Sequence, residues 1–416
     1  MRGLEGLFGP ILDRRLRAES PAPLAVAFSG GGDSLALLLL ARAWADRHGR
    51  RVIALTVDHG LNPASAEWTE RCRATAARLG VEFRALAWTG EKPATGLPAA
   101  ARAARHDLLA DAARAAGARV LLMGHTADDL AEAAAMRAAG STVGDPREWA
   151  PSPAWPQGRG VFLLRPLLGM RRPALRDWLA GQDETWIDDP ANEDARFART
   201  RARSALTEAG KGTGEAGGGD PADEGGSAPS APPRRVPLPT AWGGLVLDRC
   251  APPSHIAAAC LCAGGTSRPP RGARLARLVE RLRAGQAFVA TLAGARVEAS
   301  GETAVFLREP AREGLPILPL PVGEPVVWDG RFELLADRPG LAVRGLAGLA
   351  ARLPRAERAG LRGIPPAARR TLPAVTGADE FVTCPILAGE RAVRCRALVL
   401  DRFEAATGGV DSEPAP

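Results

Sequence analysis

The six residues Ser29-Gly30-Gly31-Gly32-Asp33-Ser34 constrain this chain more than any other stretch of it. They follow a short apolar run, Leu24–Phe28, that reads as a strand, and they open Ser34–His48, which reads as a helix. Consecutive glycines at such a junction let backbone N–H groups wrap closely around a phosphate, and the helix N-terminus adds partial positive charge. Ser29 and Ser34 supply hydroxyl donors. A bare carboxylate at Asp33 would repel a phosphate, so Asp33 makes sense as a holder of Mg²⁺, which neutralises the phosphates. Without a ligand the same residues would form a turn in which Asp33 caps the helix. No GxxxxGK[ST] sequence occurs and no lysine lies nearby, so the loop is not of the Walker type, nor does it fit GxGxxG.

The same strand–helix alternation continues. Strands are expected at Arg51–Val57, Val81–Trp88, Arg119–Gly124 and Val161–Leu164. Helices are expected at Ala64–Leu79, Pro98–Ala116, Asp128–Ala139 and Pro173–Ala180. This pattern predicts an α/β fold, a doubly wound parallel sheet covered on both faces. In such sheets ligands bind beyond the carboxyl ends of the strands, and the unusual polar clusters fall there. Asp58-His59-Gly60 ends the second strand. His125, Asp128, Asp129 and Glu132 follow the fourth, and Asp129 and Glu132, three apart, share one helix face. Acids in a first turn also stabilise a helix on their own. Paired carboxylates there could hold an ammonium group or a metal. Arg102 and Arg105 lie on one helix face, with His106 next to them. Such a pair is more often a solvated basic face.

Taken in order, these motifs resemble the ATP pyrophosphatases, whose SGGxDS loop matches Ser29–Ser34. The resemblance narrows to the tRNA(Ile)-lysidine synthetase family through Val57-Asp58-His59-Gly60, the HxxDDxxE pattern from His125 to Glu132, and Arg165-Pro166-Leu167-Leu168. It continues through Trp186–Asn192 and the Arg199–Arg203 tail, so it spans Val26 to Arg203. His106 stands where the family has an aromatic residue, and Thr200 where it has Asn. The resemblance implies ATP at Ser29, Gly30, Gly31, Gly32, Asp33 and Ser34, with Asp58 and His59 beside the nucleotide and Mg²⁺ on Asp33. It implies a reaction centre lined by Asp33, Arg105, His125 and Asp128, with L-lysine held by Asp129 and Glu132. Arg199 and Arg203 are then tRNA contacts, and the partner is an isoleucine tRNA with a CAU anticodon. The implied reaction activates the wobble cytidine with ATP and attaches lysine to its C2. Two other readings remain open. A sulfur-inserting tRNA enzyme of the same superfamily would usually need paired cysteines, and none occurs at CxxC spacing. A non-catalytic tRNA-binding homologue would be expected to have lost loop serines or acids, and all are present.

The sequence divides into a catalytic domain at 1–205, a flexible linker at 206–235 and a C-terminal α+β, tRNA-binding region at 236–416. The linker is Gly-, Ala-, Pro- and Ser-rich and cannot bury enough apolar surface to offset its ordering entropy. Beyond it, Leu275–Ala284 reads as a basic amphipathic helix, and Asp329-Gly330 as a hairpin turn. A net charge of +7 suits a polyanionic partner, although arginine-rich composition alone could produce it: Lys92 and Lys211 are the only lysines. Met1–Ser20 has no apolar centre, and no apolar run approaches the roughly 20 residues that span a bilayer. A cytoplasmic protein without membrane contact is expected. The six cysteines form no framework and read as reduced structural thiols. The oligomeric state is open, with a homodimer among the options.

Overall fold

The structure, a computed structural model, describes residues 3–141, 146–188, 238–310, 314–378, 380–388 and 393–415. The expected linker, Arg199 and Arg203 lie outside the described residues. Contacts divide the chain into two units. The first holds the described residues up to Asp188 together with those from Val410 onward, and the second holds Leu238 to Gly409.

The first unit is built on a six-stranded sheet. Its strands are β1 (Leu24–Ala27), β2 (Val52–Asp58), β3 (Glu82–Ala87), β4 (Val120–Leu122), β5 (Trp149–Pro151) and β6 (Phe162–Leu164), in the order β3-β2-β1-β4-β6-β5. Every neighbouring pair is parallel except β5–β6. Its helices among the described residues are α1 (Glu5–Arg15), α2 (Gly32–Arg47), α3 (Ser65–Arg78), α4 (Leu97–Ala115), α5 (Ala127–Ala138) and α6 (Arg172–Ala180). Residue alternation sends Leu24, Val26, Ala54, Leu122 and Leu164 into one core with α1, α2 and α6. Ala25, Ile53, Leu121 and Leu163 face a second core with Leu109 and Ala113 of α4. Both faces are therefore dry, which is why these strands read as continuous apolar runs. Helix α2 alone buries Leu35, Leu37, Leu38, Leu40 and Trp44. At about 1.5–3 kcal/mol for each large apolar side chain, that anchorage fixes the position of the glycine loop at its N-terminus.

Strand β5 has no counterpart in the sequence expectations. It is three residues long, ends in a proline and sits at the sheet edge, where a missing N–H is tolerated. Trp149 of β5 stacks on Phe162 at 5.1 Å between ring centroids. The chain's last residues also belong to this unit. The Glu413 carboxylate, fully buried, accepts from Arg50 Nη1 and Nη2 at 2.7 and 2.8 Å and from the Arg17 N–H at 3.0 Å. Trp149 Nε1 donates to the Val410 carbonyl at 2.9 Å.

The second unit is β-rich, with sheets of five, four and three strands among the described residues. Its Asp329 and Gly330 carry φ of 51° and 63°, joining Val326–Trp328 to Phe332–Ala336 as the hairpin that Asp-Gly predicts. The basic helix is present as Gly272–Arg283, burying Leu278, Val279 and Leu282. All six cysteines are free. Cys260 and Cys262 lie on the helix Pro253–Ala263 inside the apolar core, and burial pushes both thiols up to about 12. That is the behaviour of structural thiols, as expected. No helix among the described residues is long and apolar enough to cross a membrane.

Candidate active site

The glycine loop connects the carboxyl end of β1 to α2, and its shape is set by its neighbours. Gly30 has φ +81°, a conformation L side chains rarely adopt. A Cβ there would also stand 2.5 Å from Ile187 Cδ1 and 2.9 Å from Cys72 Sγ. Ser34 Oγ donates to the Gly31 carbonyl at 2.9 Å and accepts the Ser29 N–H at 3.2 Å. The Ser29 hydroxyl lies 3.1 Å from that of Ser34. The Ile187 N–H donates to the Gly30 carbonyl at 2.9 Å, and Trp186 lies against Gly32. The loop is thus held from inside by its serines and from outside by the Trp186–Ile187 segment. Among the described residues no side chain caps the first turn of α2, and its N–H groups suit an anion.

Asp33 does not cap that helix. Its carboxylate accepts from Arg172 Nε at 3.0 Å, and the other two guanidinium nitrogens are equally engaged. Nη1 lies 2.6 Å from Glu132 Oε1, and Nη2 3.1 Å from Asp129 Oδ1. Three carboxylates from two helices converge on one arginine. Its main chain is fixed as well, since the Arg172 N–H donates to Asp128 Oδ2 at 2.8 Å while Arg171 Nη2 lies 3.1 Å from Asp128 Oδ1. Burial opposes the charge of Arg172, but Glu132, Asp129 and Asp33 together hold its pKa above the ordinary arginine value. Burial raises the pKa of Asp33, with Arg172 pulling the other way. Asp129 also closes a capping box, accepting the Thr126 N–H and hydroxyl, both at 2.8 Å. The helix-stabilising role of these acids and their place in a charged cluster are therefore both realised.

After β6, Arg165 donates from Nε to His125 Nδ1 at 3.2 Å and from Nη1 to the Arg147 carbonyl at 2.7 Å. A donor on Nδ1 fixes the neutral His125 ring with its proton on Nε2. Arg165 is buried, and burial with the nearby Arg102 lowers its pKa to about 10. His106 is buried, and among the described residues its Nδ1 has no hydrogen-bond partner. Burial, then the charges of Arg105, Arg102 and Arg165, lower its pKa to about 3. His59 meets Trp88 edge-on at 6.0 Å, and its pKa is lowered by burial and by Arg105. Asp58 accepts the Gly60 N–H at 2.7 Å, closing the turn after β2.

The structure therefore places Ser29–Ser34, Asp58, His59, His125, Asp128, Asp129 and Glu132 at the carboxyl ends of β1, β2 and β4 or on the helices that open there, while Arg105 comes from within α4, after β3, with its charge acting on His59. Asp33 offers one carboxylate beside the loop. That suits Mg²⁺, which takes one or two carboxylates plus substrate phosphates. Among the described residues no three His, Cys, Asp or Glu side chains converge as a metal site, and Asp129 and Glu132 hold a guanidinium. Sequence reasoning missed Arg172, Arg165 as the partner of His125, and Ile187 as the cover of Gly30. Arg165 stands out in the sequence only as the first residue of RPLL, and Arg172, just beyond that motif, gives no signal among 54 basic residues.

A family of PP-loop domains matches residues 10–209. The chain is 51% identical to a tRNA(Ile)-lysidine synthase of Caulobacter vibrioides, covering 97% of both chains. It is 38% identical to the tRNA(Ile)-lysidine synthase of Mesorhizobium japonicum, covering 78% of this chain and 76% of that one. With that of Rhizobium meliloti it shares 35% identity, over 78% and 75% of the two chains.

Proposed function

The chain belongs to the tRNA(Ile)-lysidine synthase family, and from that premise we propose that it ligates L-lysine to C2 of the wobble cytidine of a CAU-anticodon isoleucine tRNA. ATP would bind with its phosphates on the N–H groups of Gly30–Ser34 and on the two serine hydroxyls. The cytidine O2 attacks the α-phosphate, pyrophosphate leaves, and a lysine amine then displaces AMP at C2, releasing its proton. Asp33 is the residue that would hold Mg²⁺, which offsets phosphate charge. Arg105 and the Nε2–H of His125 face developing negative charge as donors. Asp128 keeps the start of α6 in place at the edge of the reaction centre. Asp129 and Glu132 take an ammonium group of lysine, and the tRNA is held in part by Arg199 and Arg203 and by the C-terminal region. The reaction belongs in the cytoplasm, where tRNA, ATP and free lysine meet.

The observation that carries this reading is the carboxylate cluster. Asp33, Asp129 and Glu132 meet around one cation within hydrogen-bond reach, which supports an ammonium site next to the phosphate loop. Full-length protein mixed with ATP, lysine and the isoleucine transcript should release AMP and pyrophosphate, with little product when tRNA is omitted. Formation of ADP instead, or equal ATP cleavage without tRNA, would count against the assignment.

A further inference from the structure

Arg172 sits where the proposed function puts a substrate. A guanidinium and an ammonium are both pure donors with one positive charge, so they compete for the same carboxylate lone pairs. The side chains of Asp129 and Glu132 are only 8% and 2% exposed. A dissolved ammonium therefore cannot settle on the Asp129 and Glu132 oxygens that Arg172 contacts while the arginine stays. The same guanidinium reaches back through Nε to Asp33 in the phosphate loop, so a single side chain spans both halves of the site. Its backbone is pinned by Asp128, which leaves the side chain as the part able to move.

We propose that Arg172 is a placeholder for the lysine ammonium, and that nucleotide binding at the loop draws its guanidinium off Asp129 and Glu132 and so clears them for lysine. A triphosphate arriving beside Asp33 brings several negative charges within reach of the Arg172 fork, which matches phosphate oxygens as well as carboxylates. Loss of the guanidinium from two nearly buried acids is unfavourable, and it opens the Asp129 Oδ1 and Glu132 Oε1 lone pairs that the lysine ammonium then takes. Binding is then ordered, with nucleotide before lysine, and lysine affinity without nucleotide is lowered by the fraction of time Arg172 occupies the acids. Arg172 acts here as a positioning residue. The inference rests on the reading that Asp129 and Glu132 bind lysine.

The test is equilibrium dialysis of labelled lysine against the full-length protein, with and without a non-hydrolysable ATP analogue and Mg²⁺. For the unmodified protein the analogue should tighten lysine binding by about tenfold or more. In Arg172→Gln, lysine should bind tightly without nucleotide, and the analogue should change its affinity by less than about twofold. A residue that merely supports the site would weaken lysine binding when removed, so the sign of the effect decides. If Arg172→Gln fails to fold, Arg172→Lys keeps the charge but replaces a three-nitrogen fork by one compact ammonium. Nucleotide-free lysine affinity should then rise severalfold, and an unchanged or weaker affinity overturns the proposal. Glu132→Gln separates the two ideas. If it leaves lysine affinity unchanged with the analogue present, the lysine site itself is misassigned. If it weakens lysine while Arg172→Gln keeps the full nucleotide dependence, the site stands and the placeholder falls.

Discussion

The buried His106 makes stability of the first unit depend on pH in a calculable way. Its ordinary pKa of 6.5 is lowered to about 3 by burial and by Arg105, Arg102, Arg165 and His125 around it. The unfolded chain therefore binds a proton near neutrality that the folded chain refuses. Stability rises with pH wherever the unfolded state holds more protons. The contribution of neutral His106 is fully present above about pH 6.5 and is lost as pH falls toward about 3, at up to about 1.4 kcal/mol per pH unit. Between pH 7 and pH 5 the linkage amounts to about 2 kcal/mol. His106 is only 6% exposed, so solvent screening takes little from this figure. The substitution His106→Phe removes the proton site and keeps an aromatic ring in the buried position. Urea titrations followed by tryptophan fluorescence suit the assay, since Trp44, Trp149, Trp178 and Trp186 all report on the first unit. The stability difference between pH 7 and pH 5 should shrink by about 2 kcal/mol in the variant, whatever constant offset repacking introduces. His59 titrates alike in both proteins and cancels. An identical pH dependence for the two would refute the reasoning.

Other perturbations test separate parts of the account. Gly30→Ala adds a Cβ at φ +81° and 2.5 Å from Ile187 Cδ1; backbone strain and overpacking together should cost about 2–5 kcal/mol, read as a lower melting temperature together with weaker ATP binding. Glu413→Gln breaks the buried pair with Arg50 and should destabilise the first unit by about 3 kcal/mol, measured by denaturant titration; a loss under about 0.5 kcal/mol would show the tail to be a passive surface segment. Asp33→Ala should abolish ATP–pyrophosphate exchange, and near-normal exchange would remove it from the phosphate chemistry.

Local signals carried most of the first unit. The order and kind of β1–β4, β6 and α2–α6 follow from period and from turn residues, because each element's pattern is complete within its own length. The loop at Ser29–Ser34 was legible because glycine is demanded there twice, by φ and by contact with Ile187. Other features depend on partners far along the chain. Strand β5 exists only by pairing with β6 and has too few residues to show alternation. Glu413 finds Arg50 across 363 residues, and nothing near either marks the match. Arg172 was invisible for a similar reason. It falls just before the expected helix Pro173–Ala180, and its chemistry appears only once Asp33, Asp129 and Glu132 are brought around it. The acids themselves are legible, but spacing does not separate a helix cap from a charged cluster, and in the structure Asp129 closes a capping box while Asp33, Asp129 and Glu132 all hold the Arg172 guanidinium.

The measurement that bears most directly on the central claim is incorporation of radiolabelled lysine into tRNA transcripts carrying a CAU anticodon. The account predicts ATP-dependent labelling of the isoleucine transcript and none of the methionine transcript. ATP cleavage to AMP on addition of tRNA, with no lysine transferred to either transcript, would contradict it.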